Sequence, residues 1–130
     1  MAAPQPPRDP EFDNLDSLII NEVIAMGVDA PALLNRSRVD ETISAIMADD
    51  NEGARLVIKR VAPAAIRRLS RRLLSDATLL QQAHEFAEYY DQQINIALLS
   101  KNVPLAMNEL LNSDAGRAYL LFDAAISELI

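Results

Sequence analysis

From residue 14 onward, large apolar side chains return every three or four positions and nowhere alternate with polar ones at period two, so the pattern predicts helices throughout. Leu15, Leu18, Ile19, Val23 and Met26 form the first stripe, with Asn14 or Asp16 to cap its front and Gly27 to end it. A short segment from Pro31 to Asn35 follows, with Asp29 as a cap beside the proline. Val39, Ile43, Ile46 and Met47 form the next stripe, which fades into the polar run Asp49, Asp50, Asn51, Glu52, Gly53, read as a solvated turn. A further stretch covers 54–61. Pro63 then either opens a new helix or kinks a continuous one, because it has no amide proton to give.

Residues 63–74 are strongly two-faced. Ile66, Leu69 and Leu73 group together, and Arg67, Arg68, Arg71 and Arg72 occupy the other side. Ser75 and Asp76 are placed to cap the longest helix, about 77–100, whose stripe is Leu79, Ala83, Phe86, Ala87, Tyr90, Ile94, Ala97 and Leu98. A helix of that span rises about 36 Å, well beyond the radius of gyration of about 14 Å of a compact chain this size. It therefore either spans the whole domain or extends into a partner. Pro104 suits the first turn of a short helix ending near Asn112. Ser113 caps a last helix with Ala115, Ala118, Tyr119, Phe122, Ala125, Ile126 and Leu129 on its stripe. Phe86, Tyr90, Tyr119 and Phe122 share the apolar stripes and are expected to meet in the core. Tyr89 falls off the stripe and is a candidate interface anchor, since tyrosine joins rigid apolar area to a hydroxyl.

Helices of these lengths on short links make an all-α fold, a compact helical bundle of about five to six helices, with 14–130 as a single domain. Residues 1–13 hold Pro4, Pro6, Pro7 and Pro10 against only two large apolar side chains, Met1 and Phe12, too little burial to offset backbone ordering. They are expected to form a disordered, flexible tail. With 130 residues, half of them apolar and 24% charged, the chain has room for one core. The absence of cysteine excludes disulfide scaffolds, zinc–thiolate sites and thiol catalysis. No apolar run approaches the 18 or so residues of a membrane span. The opening MAAPQPPRDP has neither a basic nor an apolar signal region, so a cytoplasmic address is expected.

Charge changes the picture more than composition does. The net charge is −7, yet residues 55–72 carry seven bases and no acid: Arg55, Lys59, Arg60, Arg67, Arg68, Arg71 and Arg72. Three readings compete for this basic island between acidic flanks. The arginines can form fork-shaped ion pairs with acidic surfaces of neighbouring helices or of a second copy. They can grip nucleic-acid phosphates, which the overall negative charge opposes, or adsorb to anionic lipid or an acidic protein tail. A helix-turn-helix built on 39–48 and 54–61 has a connection longer than usual and few polar side chains at the start of its second helix.

Catalytic chemistry finds little support. The one histidine, His84, stands with Glu85 and Glu88 in a near miss to the zinc-protease pattern, which requires a second histidine at 88. The acidic run 49–53 fits no calcium-loop register. Gly27, Gly53 and Gly116 are too scattered to form a phosphate loop, and Gly116 beside Arg117 suits a close helix contact better than an anion site. The expectation is a non-enzyme with no catalytic residue, metal or cofactor. It is an adaptor or regulatory subunit that binds a protein partner of acidic character, as a homodimer or other homo-oligomer or alone, through a basic face at 55–72. The alternative is a small DNA- or RNA-binding regulator using the same face.

Overall fold

The computed structural model describes the backbone of residues 10–129 and the side chains of residues 14–129. Residues 1–9 of the expected tail lie outside the described residues, whereas the backbone of residues 10–13 belongs to the first helix, which therefore starts ahead of the expected residue 14. Among the described residues there are eight helices and no strand: α1 (Pro10–Ala25), α2 (Ala30–Leu33), α3 (Arg36–Met47), α4 (Asn51–Val61), α5 (Pro63–Ser75), α6 (Ala77–Leu98), α7 (Val103–Leu111) and α8 (Asp114–Ser127). None is long and apolar enough to cross a membrane. The all-α fold is as expected, with more helices than the five or six foreseen. The segment after Asp29 closes into a single turn, α2, and Pro63 opens a helix of its own instead of kinking its predecessor.

Local chemistry sets the boundaries. Asp29, Asn35, Asp50, Asp76, Asn102 and Ser113 each accept a backbone N–H from the first turn of the helix they precede, as N-cap side chains do. Asp50 starts α4 at Asn51, three residues ahead of the expected 54, because the run read as a turn supplies the cap itself. Asp16 is no cap: it lies inside α1 and is buried. Gly27, at φ 73°, ends α1 in a Schellman turn, with Gly27 N–H donating to the Ile24 carbonyl and Val28 N–H to that of Val23. Asp49, at φ 58°, ends α3 in the same way, in a conformation that costs an L-residue what glycine avoids. The α3–α4 connection is therefore three residues, shorter than the sequence suggested. The exposed side of α4 presents Asn51, Glu52, Leu56 and Arg60, a poor match to a recognition helix.

The core is organised around α8. The expected single stripe understates it, since Leu120, Leu121 and Ala124 lie off that stripe and are buried as fully as Tyr119, Phe122 and Ala125. It packs against α1, α2, α4, α5, α6 and α7, so it is covered on nearly every side. The buried side chains of α6 run from Leu79 to Ala97, so this helix spans the domain along its own length. Tyr90 stacks on Tyr119 with ring centroids 5.3 Å apart, and Phe86 lies 5.0 Å from Tyr90, which brings three of the four stripe aromatics into one column. Phe122 is fully buried elsewhere along α8.

The tightest approach is between the end of α7 and the start of α8. A Cβ on Gly116 would stand 2.3 Å from the Leu110 carbonyl oxygen and 2.7 Å from the Leu111 Cα, both backbone atoms that cannot rotate away. Gly116→Ala is expected to destabilise the fold by about 2–3 kcal/mol, read as a lower urea midpoint at unchanged slope. Asp49→Gly, relieving the left-handed backbone at an exposed position, is expected to raise stability by about 0.5 kcal/mol in the same assay.

Candidate functional site

The seven cations of the basic island end in three different surroundings. Arg55 points from α4 towards α8 and holds Asp123 in a two-pronged contact, Nε to Oδ2 at 3.0 Å and Nη2 to Oδ1 at 3.3 Å, with Glu52 3.4 Å from Nη1. Arg72 reaches Asp76 at 3.2 Å and Glu22 of α1 at 3.7 Å. Lys59, in the last turn of α4, meets Glu128 at 2.9 Å. Arg60, Arg67, Arg68 and Arg71 are exposed and have no ion pair or hydrogen bond from their side chains among the described residues. Pro63 divides the island into two helices with different axes, which is why a continuous run of charge does not make a continuous face.

Arg67 and Arg71 stand one helical turn apart on the rim of a groove of about 340 Å³ between α4, α5 and the end of α8. Pro63 and Ile66 contribute its apolar surface, and Lys59 and Glu128 the opposite wall. Ser70 ties the floor together. Its hydroxyl donates to the Ile66 carbonyl at 2.8 Å and lies 3.3 Å from the Ala125 carbonyl of α8. The backbone N–H of Glu128 donates back to the Ala125 and Ile126 carbonyls, closing α8 and holding this residue over Lys59. Cations on two helices, an apolar floor and a carboxylate already seated among them make a surface suited to carboxylates carried on an amphipathic chain.

A second polar cluster lies beneath α3 and α4. Arg55, Asp91, Tyr119 and Asp123 share the wall of a cavity of about 460 Å³ with Ile58 and Ile94. The Tyr119 hydroxyl donates to Asp91 Oδ1. Burial, reinforced by Asp123 and Asp91, pushes the Tyr119 phenol far above its ordinary value, so it stays protonated and keeps donating. The two-pronged bond to Asp123 raises Arg55, against the opposing cost of partial burial. Partial burial raises the Asp91 carboxyl, with Asp123 and Glu88 adding repulsion and the Tyr119 hydroxyl and Arg55 opposing it. The cluster ties α4, α6 and α8 together and withdraws Arg55 from the outer basic face.

The remaining residues singled out in the sequence lie apart from both places. Tyr89 is half-buried, edge-on to Tyr90 at 5.8 Å, and lines a groove between α1 and α6 with Leu15 and Leu18. His84 and Glu88 are both exposed on α6, and among the described residues no group of three His, Cys, Asp or Glu could hold a metal ion. Arg117 is spent on the fold, donating from Nε to the Leu34 carbonyl at 2.8 Å and from Nη1 to that of Asn112. Glu128, Ser70 and Asp123 escaped sequence reasoning because each meets its partner across more than fifty residues of chain. No protein-family model, no curated protein and no solved structure matches the chain.

The raised Asp91 carboxyl has a defined pH signature. A carboxyl whose folded value exceeds its unfolded one, near 4, contributes stability below that value and loses it as pH rises through the folded value. Asparagine keeps the oxygen that accepts from Tyr119 and carries no charge. Asp91→Asn is therefore expected to melt higher than the parent at about pH 7, with the difference closing at about pH 3, as thermal unfolding followed by circular dichroism checks.

Proposed function

We propose that this chain is a non-enzymatic helical adaptor or regulatory subunit whose groove between α4, α5 and α8 takes an acidic, amphipathic segment of a partner protein. The observation that carries the reading is the pairing of unmatched cations with an apolar floor: Arg67 and Arg71 have no carboxylate partner among the described residues and border Pro63 and Ile66. Glutamates on one face of a bound segment would meet the arginines, and apolar side chains on the other would cover the floor. The volume of about 340 Å³ suits a few side chains of a peptide. The rest of the surface favours a protein over a polynucleotide. A net charge of −7 repels a long polyanion along most of its length, whereas a short acidic segment needs only the α5 side.

The test is fluorescence anisotropy with a labelled peptide of repeated Glu-Glu-Leu. Arg67→Ala combined with Arg71→Ala is expected to weaken binding about ten-fold and to leave the melting temperature unchanged, because both side chains are exposed and make no ion pair among the described residues. Affinity unchanged by the pair of substitutions overturns the assignment. Tighter binding of duplex DNA or RNA than of the peptide, with a log–log salt slope of about −0.9 per phosphate neutralised, replaces it with the nucleic-acid alternative. Self-association in sedimentation that the same substitutions abolish makes a second copy the occupant.

A further inference from the structure

We propose that Glu128 is an internal competitor for the groove, seated on Lys59 where a carboxylate of the acidic partner binds, so that its displacement admits the partner. The inference rests on the reading of the groove given above and concerns its regulation. Three observations bear on it. The Lys59–Glu128 pair is short, 2.9 Å, yet Glu128 leaves 47% of its side chain in solvent and Lys59 leaves 29%, so water and other carboxylates can compete for the ammonium group. Glu128 caps the C-terminus of α8, where the carbonyl ends of the helix disfavour its charge, so the pair with Lys59 is held against an opposing repulsion. Among the described residues, only one of the three cations lining the groove is so occupied. Arg67 and Arg71 are open to an incoming segment while Lys59 is not, and the Glu128 carboxylate faces that segment with like charge.

The arrangement contrasts with the Arg55–Asp123 pair one turn earlier on both helices. There two parallel hydrogen bonds and an Asp123 side chain only 19% exposed hold the contact fixed. An exposed single contact is the exchangeable one of the two.

The anisotropy assay with the Glu-Glu-Leu peptide tests this directly. Glu128→Gln frees Lys59, removes the repulsion and is expected to tighten binding about two- to five-fold, the range an exposed ion pair commands. Glu128→Ala is expected to do the same, which guards against a new hydrogen bond from the glutamine. Glu109→Gln, an equal change of net charge on α7 and so near the opposite end of α8, is expected to leave affinity unchanged. In a Lys59→Gln background the gain from Glu128→Gln should shrink, because the freed cation is gone. If Glu128→Gln and Glu128→Ala bind no tighter than the parent while Arg67 and Arg71 are still required, the competitor role falls and the groove stands. Equal tightening by Glu109→Gln also overturns it, since net charge alone then accounts for the gain. A parent chain that ignores the peptide, or one indifferent to Arg67 and Arg71, overturns the groove itself.

Discussion

A helix with apolar side chains on every face has to be covered on every face, and α8 imposes that demand on the rest of the chain. Leu120, Leu121, Phe122, Ala124 and Ala125 are buried in succession along this helix, so no one layer of neighbours can satisfy them. The chain answers with α1, α2, α4, α5, α6 and α7 arranged around it. Covering helices can come close only where the central one is slim, which explains the alanines at 115, 118, 124 and 125 and the glycine at 116. The breaks between the covering helices follow from the same demand. A wrapped layer needs segments that change direction, and Asp29, Asp50, Pro63, Asp76 and Asn102 each begin a new one.

The central helix also decides which charges remain available. Its two polar positions against α4, Asp123 and Glu128, are five residues apart and meet Arg55 and Lys59, four apart on the facing helix. On α5, Ile66, Leu69 and Leu73 are buried and Ser70 bonds to the Ala125 carbonyl, which turns Arg67, Arg68 and Arg71 outward. Arg72 stands at the edge of that buried face, within reach of Glu22 and Asp76. A run of cations that is uniform in sequence is thus sorted by helical phase into fixed, exchangeable and open groups.

Local signals were legible in the sequence and long-range ones were not. Asp29, Asp76 and Ser113 cap their helices across three residues, and a cap of that range is written in the residues themselves. The α6 stripe named its buried residues from Leu79 to Ala97, because α1, α5, α7 and α8 all pack against that one side of the helix and leave the other in solvent. That inference breaks at α8, where Leu120 and Leu121 look like ordinary breadth in a stripe until the neighbouring helices are known to lie on every side of it. The partners of the basic island were hidden for a similar reason. Arg55 and Asp123 are 68 residues apart, and a count of charges does not say which of seven cations a helix four segments away will neutralise.

The distribution of charge around the groove has consequences for recognition beyond the contacts inside it. On the proposed reading, an acidic segment approaching a chain of net charge −7 is repelled over most orientations and attracted where Arg60, Arg67, Arg68 and Arg71 cluster facing outward. For the proposed partner, the acidic flanks would then act against misplaced encounters while the open arginines favour the productive one, so one charge pattern would orient that partner and exclude others. Arg68 and Arg60, which do not line the groove, fit this outer role: they extend the attractive field without touching the floor. Under the proposed function, affinity would depend on Pro63, Ile66 and the cations beside them, and the rate of encounter on the wider ring, two properties that the same short segment of chain would supply from different sides of α5.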